Sequence, residues 1–472
     1  MSHETFFHVR PSRVPPLDSD FLPAVLANRR FRQEVRATGR AEPFAISIEA
    51  DQGTTARHDL ELFPESDPRS DANTPYVERI LKFLLWQKGG WRIRIGGNAR
   101  VGRDLQTIYS PNGARRFDCS LMAEIYGRPL EIELVPIECV PRAVSHARPL
   151  GRHLDGCRIG FDLGASDRKV AAVQDGKVLY SEEVVWDPRN QADPQYHFDE
   201  IMAALKKAAS FLPRVDAIGG SSAGVYVNNS VRVASLFRGV PRDLFEKRVR
   251  GLFREIQQAW GGIPFDVIND GEVTALAGAM SLQVARVLGL ALGSSVAAGY
   301  VDADGNLPGW LDELAFAPVD YNPRAPVDEW SGDVGCAVQY FPQVAVNRLA
   351  QAAGIPLGET RTVPERLKDV QALMDKGDPR ARAVFETIGV YLGYTLPHYA
   401  DFYDMGHVLI LGRVTSGKGG DVILQTAKSI LAREFPDLAG RLTLVIPDEA
   451  SRRVGQAIAA ASLPELPKQN TR

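Results

Sequence analysis

Two short segments of this chain have the composition to hold the phosphates of a ligand. Gly164, Ala165 and Ser166 follow the apolar stretch CRIGFDL, and Gly293, Ser294 and Ser295 follow VLGLAL. Glycine removes the Cβ so that backbone N–H groups can approach an anion, and serine adds a hydroxyl donor. One such turn is accounted for as well by an ordinary hairpin; the matched pair favours phosphate, because two facing turns would clamp a polyphosphate. Asp162, near the end of the first stretch, offers the carboxylate oxygen that Mg²⁺ prefers, directly or through water.

Two further segments could complete a site. Asn269, Asp270 and Gly271 stand at the C-terminal end of the apolar run PFDVIND, where α/β sheets place ligand groups, although a capped helix start explains the same residues. In ILGRVTSGKGGD, Gly412, Gly417 and Lys418 have the GxxxxGK spacing of a P-loop, but Gly419 replaces the Mg²⁺-binding Ser or Thr, and about fifty residues remain, too few for a P-loop domain. With Gly420, these glycines read instead as a wall against a nucleotide base or ribose, or as a plain strand-to-helix loop.

The elements that must position these residues alternate between strand and helix. CRIGFDLG, KVAAVQ and KVLYSEEVVW read as consecutive strands, the last two joined at Asp175-Gly176. A helix carrying Phe198, Ile201, Met202, Leu205 and Leu212 follows, then the strand VDAIGG, a helix from Phe245 to Trp260, the strand PFDVIND and a helix over 271–283. The pattern then restarts: FDLGASDRKVAAVQDGKVL and LALGSSVAAGYVDADGNL share Leu-Gly, a small residue, Ser, VAA and an Asp-Gly turn. Twofold self-similarity points to two related lobes rather than a solenoid. Helices over 341–353, 363–375 and 379–403, the strand HVLILG, a helix from Asp421, the strand LTLVIPD and a helix from Glu449 complete the second half. Ahead of residue 156, about 45 residues read as an arm lying on something else. An α+β segment then runs from Pro43 to Val140, and residues 141–155 form a linker.

Composition narrows the function classes. The chain has 472 residues and a formal charge of −3. Residues 1–150 carry 21 basic and 19 acidic side chains and the rest 34 and 39, so neither part announces a nucleic-acid or membrane surface. In WRIRI, Arg92 and Arg94 share one strand face with further arginines nearby; a nucleic-acid patch is disfavoured because acids balance them. Cys119, Cys139, Cys157 and Cys336 show no CxxC pairing, which reads as reduced thiols in a cytoplasmic protein. With neither an apolar leader nor a membrane-spanning run, secretion and membrane insertion are not expected.

In order, DLGAS, NDGEVTALAGA, LGSSVAAG and ILGRVTSGKGGD resemble the phosphate-1, catalytic-base, phosphate-2 and adenosine segments of the sugar kinase, heat-shock ATPase and actin superfamily, and most closely its ROK family (repressors, unknown reading frames, kinases). The resemblance covers about 310 residues, from Gly156 to about Pro464. It implies a two-lobed, actin-like (ribonuclease H-like) α/β fold with duplicated βββαβα lobes. Residues 156–279 plus 450–465 would form lobe I and 280–449 lobe II, behind an α+β domain at 1–150. It also implies ATP and Mg²⁺ as cofactors and Asp270 as the base that takes a sugar hydroxyl proton. Asn269 and Glu313 (in WLDELAF) would hold the sugar, Asp162 the Mg²⁺, and Gly164, Ala165, Ser166, Lys169, Gly293, Ser294, Ser295, Gly412, Gly417, Gly419 and Gly420 the nucleotide. Such a division suits phosphoryl transfer, which needs mainly positioning and charge stabilisation.

The departures from that pattern also have consequences. Phe316 matches the family's zinc-ligand histidine, and the cysteine-rich zinc loop is reduced to Gly335-Cys336, so no zinc site is expected. Asp167 matches the usual lysine of the first phosphate turn, with Lys169 two places on, and a sugar-binding asparagine has no clear equivalent near SLFRGVP. Four functions follow: an ATP-dependent sugar (hexose-like) kinase; a non-catalytic sugar or nucleotide sensor; an ATPase switch; and a DNA-binding repressor, disfavoured by the β-rich N-terminus. Self-association as a homodimer stays open.

Overall fold

A computed structural model describes residues 7–145, 150–164, 167–446 and 449–467. By its contacts the chain forms two compact units. The first comprises Met1–His146, Leu290–Ala297 and Trp310–Ile446; the second comprises Ala147–Gly289, Ala298–Gly309 and Pro447–Arg472.

The first unit opens with an extended arm. Leu17 donates its backbone N–H to Thr387 Oγ1 at 3.2 Å, the Tyr391 hydroxyl donates to Asp18 at 2.6 Å, and the Phe21 ring packs against Tyr340, Tyr391 and Tyr394. The arm ends in helix α1 (Ala24–Ala37), which the sequence reading took as continuing arm. Arginines at 29, 30, 32 and 36 mask a narrow buried stripe of Ala24, Asn28, Phe31 and Val35 at helical spacing.

Four strands follow, β1 (Glu42–Glu49), β2 (Thr55–Leu62), β3 (Arg92–Gly96) and β4 (Glu131–Leu134), in the sheet order β2-β1-β3-β4. Between and after them come α2 (Asn73–Lys88), α3 (Ala99–Ile108) and α4 (Arg116–Tyr126). The arginines of β3 are spent on acids: Arg94 pairs with Glu49 and Glu133, each at 2.8 Å, and Arg92 lies 3.5–3.8 Å from Glu49, Glu131 and Glu133.

The second unit is built on β5 (Cys157–Leu163), β6 (Asp167–Gln174), β7 (Lys177–Val185), β8 (Ala217–Ser222), a β9 (Val225–Val227) and β10 (Ser230–Val233) hairpin, and β11 (Phe265–Asn269). Five of these form one sheet, β11-β8-β5-β6-β7, parallel across β11, β8 and β5 and antiparallel from β5 to β7. Helices α5 (Pro194–Ala209) and α6 (Leu252–Ala259) cover one face through Ile201, Leu205, Phe253 and Ile256, packed on Ile159, Phe161 and Ile218. Helix α7 (Asp270–Leu282) leaves the end of β11 directly.

The remaining strands are β12 (Val287–Leu292), β13 (Val296–Val301), β14 (His407–Leu411) and β15 (Thr443–Val445), in the order β13-β12-β14-β15. Helices α8 (Gln343–Ala352), α9 (Val363–Asp375), α10 (Pro379–Ala400) and α11 (Gly417–Glu434) belong to the first unit, and α12 (Glu449–Ala461) to the second. In the second unit α12 lies so close to β5 and β8 that a Cβ on Gly160 would stand 1.9 Å from the Ala457 carbonyl oxygen. Helix α11 begins at Gly417, four residues before the Asp421 expected from the sequence. Its glycine-rich first turn is helical despite poor propensity because packing decides there: Gly419 abuts the Phe385 ring of α10.

Candidate functional site

Three parallel strands end together in the second unit, and the register fixes what meets there. Asp162 on β5 stands opposite Ser221 on β8, and Ser222 stands opposite Asn269 on β11. The C-terminal end of parallel strands is where open α/β sheets bind ligands, because the chain leaves the sheet there and side chains project from several strands at once.

Asp162 is buried, with one oxygen accepting from Ser221 Oγ at 2.7 Å and the other from Lys169 Nζ at 3.0 Å. Lys169 lies across the antiparallel β5–β6 ladder and also reaches Asp167 at 3.1 Å. Burial works against its ammonium, yet the two carboxylates outweigh that and raise its pKa. Ser221 and Ser222 were not among the residues singled out from the sequence. The signal for them is the change from apolar residues to two consecutive serines at the end of VDAIGGSS.

Asp270 is the first residue of α7, and its carboxyl is pushed up from the ordinary value to about 6, first by desolvation and then by the charge of Asp162. The Gly271 N–H, 3.1 Å from Asp270 Oδ1, and the charge of Lys169 act in the opposite direction. A carboxyl poised near 6 can be ionised at neutral pH and still accept a proton readily. Tyr226 stands close by: its hydroxyl is 2.6 Å from Ser222 Oγ, and burial followed by the charge of Asp270 raises its pKa.

Asn269 caps α7. Its Oδ1 accepts from the Gly271 N–H at 2.7 Å and its Nδ2 donates to the Gly224 carbonyl at 2.8 Å. Gly271 has a steric reason to be glycine, since a Cβ there would lie 2.2 Å from the Ala298 carbonyl oxygen of β13. Asn269 thus sets the direction in which α7 starts, and with it the placement of Asp270.

The other sequence-predicted residues fall elsewhere. Gly164 closes its turn by donating to the Asp167 carbonyl at 2.9 Å, and its own carbonyl accepts from Trp186 Nε1 at 2.9 Å; Ala165 and Ser166 lie outside the described residues. Gly293, Ser294, Ser295, Gly412, Gly417, Gly419, Gly420 and Glu313 belong to the first unit. There Gly412, at φ 104°, runs against Leu292, where a Cβ would come within 2.3 Å of the carbonyl oxygen, so the 293–295 turn and the 412–420 loop are neighbours. Gly420 would bring a Cβ within 1.9 Å of the Thr415 carbonyl oxygen.

Glu313 is placed by its backbone. Its N–H donates to the Trp86 carbonyl and that of Asp312 to the Gln87 carbonyl, each at 3.0 Å, so the C-terminal turn of α2 holds this segment. Phe316, at the zinc-ligand position, packs against Trp86 with ring centroids 4.3 Å apart. Among the described residues no group of three or more His, Cys, Asp or Glu is arranged to hold a metal ion. A single hard cation at Asp162 is a different case. Both of its oxygens are engaged once, and each keeps a second lone pair, so the donor chemistry fits Mg²⁺ reached through water.

Comparison with known proteins bears on the fold. A ROK hexokinase from Thermus thermophilus superposes with a TM-score of 0.51 at 19% identity, covering 64% of this chain and 97% of that one. A ROK family glucokinase from Streptomyces griseus, solved with glucose and AMPPNP, gives 0.50 at 21%, covering 66% and 99%. A ROK family transcriptional regulator, a homologue of the E. coli MLC protein, gives 0.52 at 20%, covering 77% and 87%. No family model matches the sequence, and no curated protein does. The chain has the mixed α/β fold of ROK sugar kinases, a fold that also serves a regulator. No described helix is long and apolar enough to cross a membrane.

Proposed function

We propose that this chain is an ATP-dependent kinase of a sugar or sugar-like acceptor, with Asp270 as the general base. The observation that carries the reading is the Asp162–Asp270 pair at the ends of β5 and β11, one carboxylate charge-paired and the other raised to about 6. The two carboxyls take different roles: the raised Asp270 exchanges a proton with the acceptor hydroxyl, and Asp162, held by Lys169 and Ser221, stands beside the cation. Mg²⁺, when bound, neutralises charge on the transferring phosphate.

Asn269, by capping α7, orients the base. Lys169 offers an ammonium to phosphate oxygens once it turns from Asp162. The resemblance assigns the turns at Gly164–Ser166 and Gly293–Ser295 to the phosphates and the glycines of 412–420 to the nucleoside. Glu313 hydrogen-bonds acceptor hydroxyls.

The test is ATP consumption with and without a panel of hexoses and amino sugars, for the natural chain and Asp270→Asn. Sugar-stimulated turnover that disappears in the variant supports the kinase; turnover independent of sugar points to an ATPase switch. A non-catalytic sensor is the second reading, favoured by the Lys169–Asp162 pair, which places an ammonium charge at the carboxylate beside which a cation would bind. Saturable sugar or nucleotide binding without turnover would support it.

A further inference from the structure

The β5–β6 ladder sets a lysine against the carboxylate assigned to the cation. Asp162 and Lys169 are opposite residues of two antiparallel strands, and Asp167 lies two places before Lys169 on the same face of β6. The ammonium therefore sits between two carboxylates, 3.0 Å from Asp162 Oδ2 and 3.1 Å from Asp167 Oδ1. Ser221 Oγ, 2.7 Å from Asp162 Oδ1, holds that carboxylate from a third strand.

Charge decides what can share this place. Asp162 keeps lone pairs for a cation, but a doubly charged ion there would stand beside the ammonium. The side chains of Asp162 and Lys169 are only 9% and 18% exposed, so water and salt screen that repulsion poorly. With the ammonium in place, the lysine and the two carboxylates sum to one negative charge. With a divalent cation in its stead, the two carboxylates are neutralised and the ammonium is released. The lysine side chain can make this exchange alone. The Gly164 N–H donates to the Asp167 carbonyl and the Gly164 carbonyl accepts from Trp186 Nε1, each at 2.9 Å, so the hairpin is pinned while the four-carbon stem turns. An ammonium leaves two carboxylates most readily for another anion, and phosphate oxygens offer it charge-assisted hydrogen bonds.

We propose that Lys169 is a built-in counter-ion: it keeps the cation position at Asp162 closed in the ligand-free chain, and an incoming phosphate group draws the ammonium away and opens it. Phosphate and divalent cation then favour each other's binding by the same factor. This rests on the assignment of Asp162 to the cation and names how that position is regulated.

The test titrates the full chain with Mn²⁺ in the absence of nucleotide and sugar, reading free Mn²⁺ by electron paramagnetic resonance. Lys169→Gln should bind Mn²⁺ about tenfold tighter than the natural chain, a usual size for such coupling, and Lys169→Gln/Asp162→Asn should lose the gain. Inorganic phosphate should tighten Mn²⁺ binding to the natural chain, and do so far less in Lys169→Gln. Equal Mn²⁺ affinity in the natural chain and Lys169→Gln overturns the proposal. So does a natural chain whose Mn²⁺ affinity phosphate leaves unchanged, an arm that decides even where the variant fails to fold. Neither readout involves turnover. Absence of sugar-stimulated ATP consumption would remove the kinase and leave these titrations standing, whereas failed titrations beside intact turnover would remove the counter-ion alone.

Discussion

Lys82 Nζ lies 2.9 Å from the Asp333 carboxylate and 3.1 Å from that of Asp118, and none of its side chain is exposed. Burial alone would strip the proton from this amine, but Asp118 and Asp333 outweigh it and raise its pKa. The lysine comes from α2 and Asp333 from the segment matched to the zinc loop of the resemblance, so within the first unit a charge pair joins α2 to that segment. Lys82→Met would leave two carboxylates buried near one another, and breaking a buried pair in this way costs about 3–5 kcal/mol. Urea unfolding should show a loss of that size, partly recovered in Lys82→Met/Asp118→Asn. A loss below about 1 kcal/mol would show that water reaches the site.

Gly420 is a case in which helix propensity and packing disagree. Replacing a helical glycine by alanine ordinarily stabilises by about 1 kcal/mol. Here the added Cβ would stand 1.9 Å from the Thr415 carbonyl oxygen, a backbone atom that cannot swing aside. Gly420→Ala should therefore lower the melting temperature. Gly417, with φ 66° and open space around its Cβ position, should lose stability through backbone strain alone when changed to alanine. A stabilised Gly420→Ala would mean that this turn is looser than drawn.

How much of this was legible in the sequence depends on what each residue's neighbours contribute. Asp162, Asn269 and Asp270 were readable because each closes an apolar run, and the strand-end position follows from the pattern itself. Ser221 was marked only by the break from apolar residues at the end of VDAIGG; its partner Asp162 comes from the β5–β8 register, a pairing across 59 residues that the local pattern does not encode. Helix α1 was hidden for the opposite reason: its arginines dominate its composition, and its buried stripe is completed by Asn28, a polar residue that the sequence gives no reason to bury. Residues 412–420 were read as a ligand wall from their glycines, and the close contacts of Gly412, Gly419 and Gly420 give those glycines a packing role that composition could not distinguish.

The residues that the resemblance matches to a zinc site offer a further check. Phe316 packs at a tilt against Trp86, and the Cys336 thiol is pushed up to about 12, first by burial, with Lys82 acting against the shift and Asp333 with it. A thiol held protonated is a poor zinc ligand. Metal analysis of the purified chain should find less than a tenth of an equivalent of zinc after dialysis, and chelator should leave the melting temperature unchanged. Near-stoichiometric zinc surviving dialysis would contradict this.

The last prediction joins pH to the assignment of Asp270. A base must be ionised to act, so kcat/KM should rise with pH through about 6, the value to which burial and Asp162 push this carboxyl, and level off above it. Asp270→Asn keeps the shape but cannot take the proton, so turnover should fall by roughly 10²- to 10⁴-fold. Stability should respond in the opposite sense. Because the folded state holds this proton more tightly than the unfolded chain, whose carboxyl titrates near about 4, the protonated form favours folding. That contribution is present below about 4 and is lost as pH rises through about 6. Melting curves at pH 4, 5, 6 and 7 should show a downward trend that Asp270→Asn flattens, with the variant equal to or more stable than the natural chain at pH 7. If Asp270 only starts a helix, the substitution should leave turnover intact, since Asn and Asp serve that role about equally. A well-folded Asp270→Asn that retains turnover would remove the base from the mechanism.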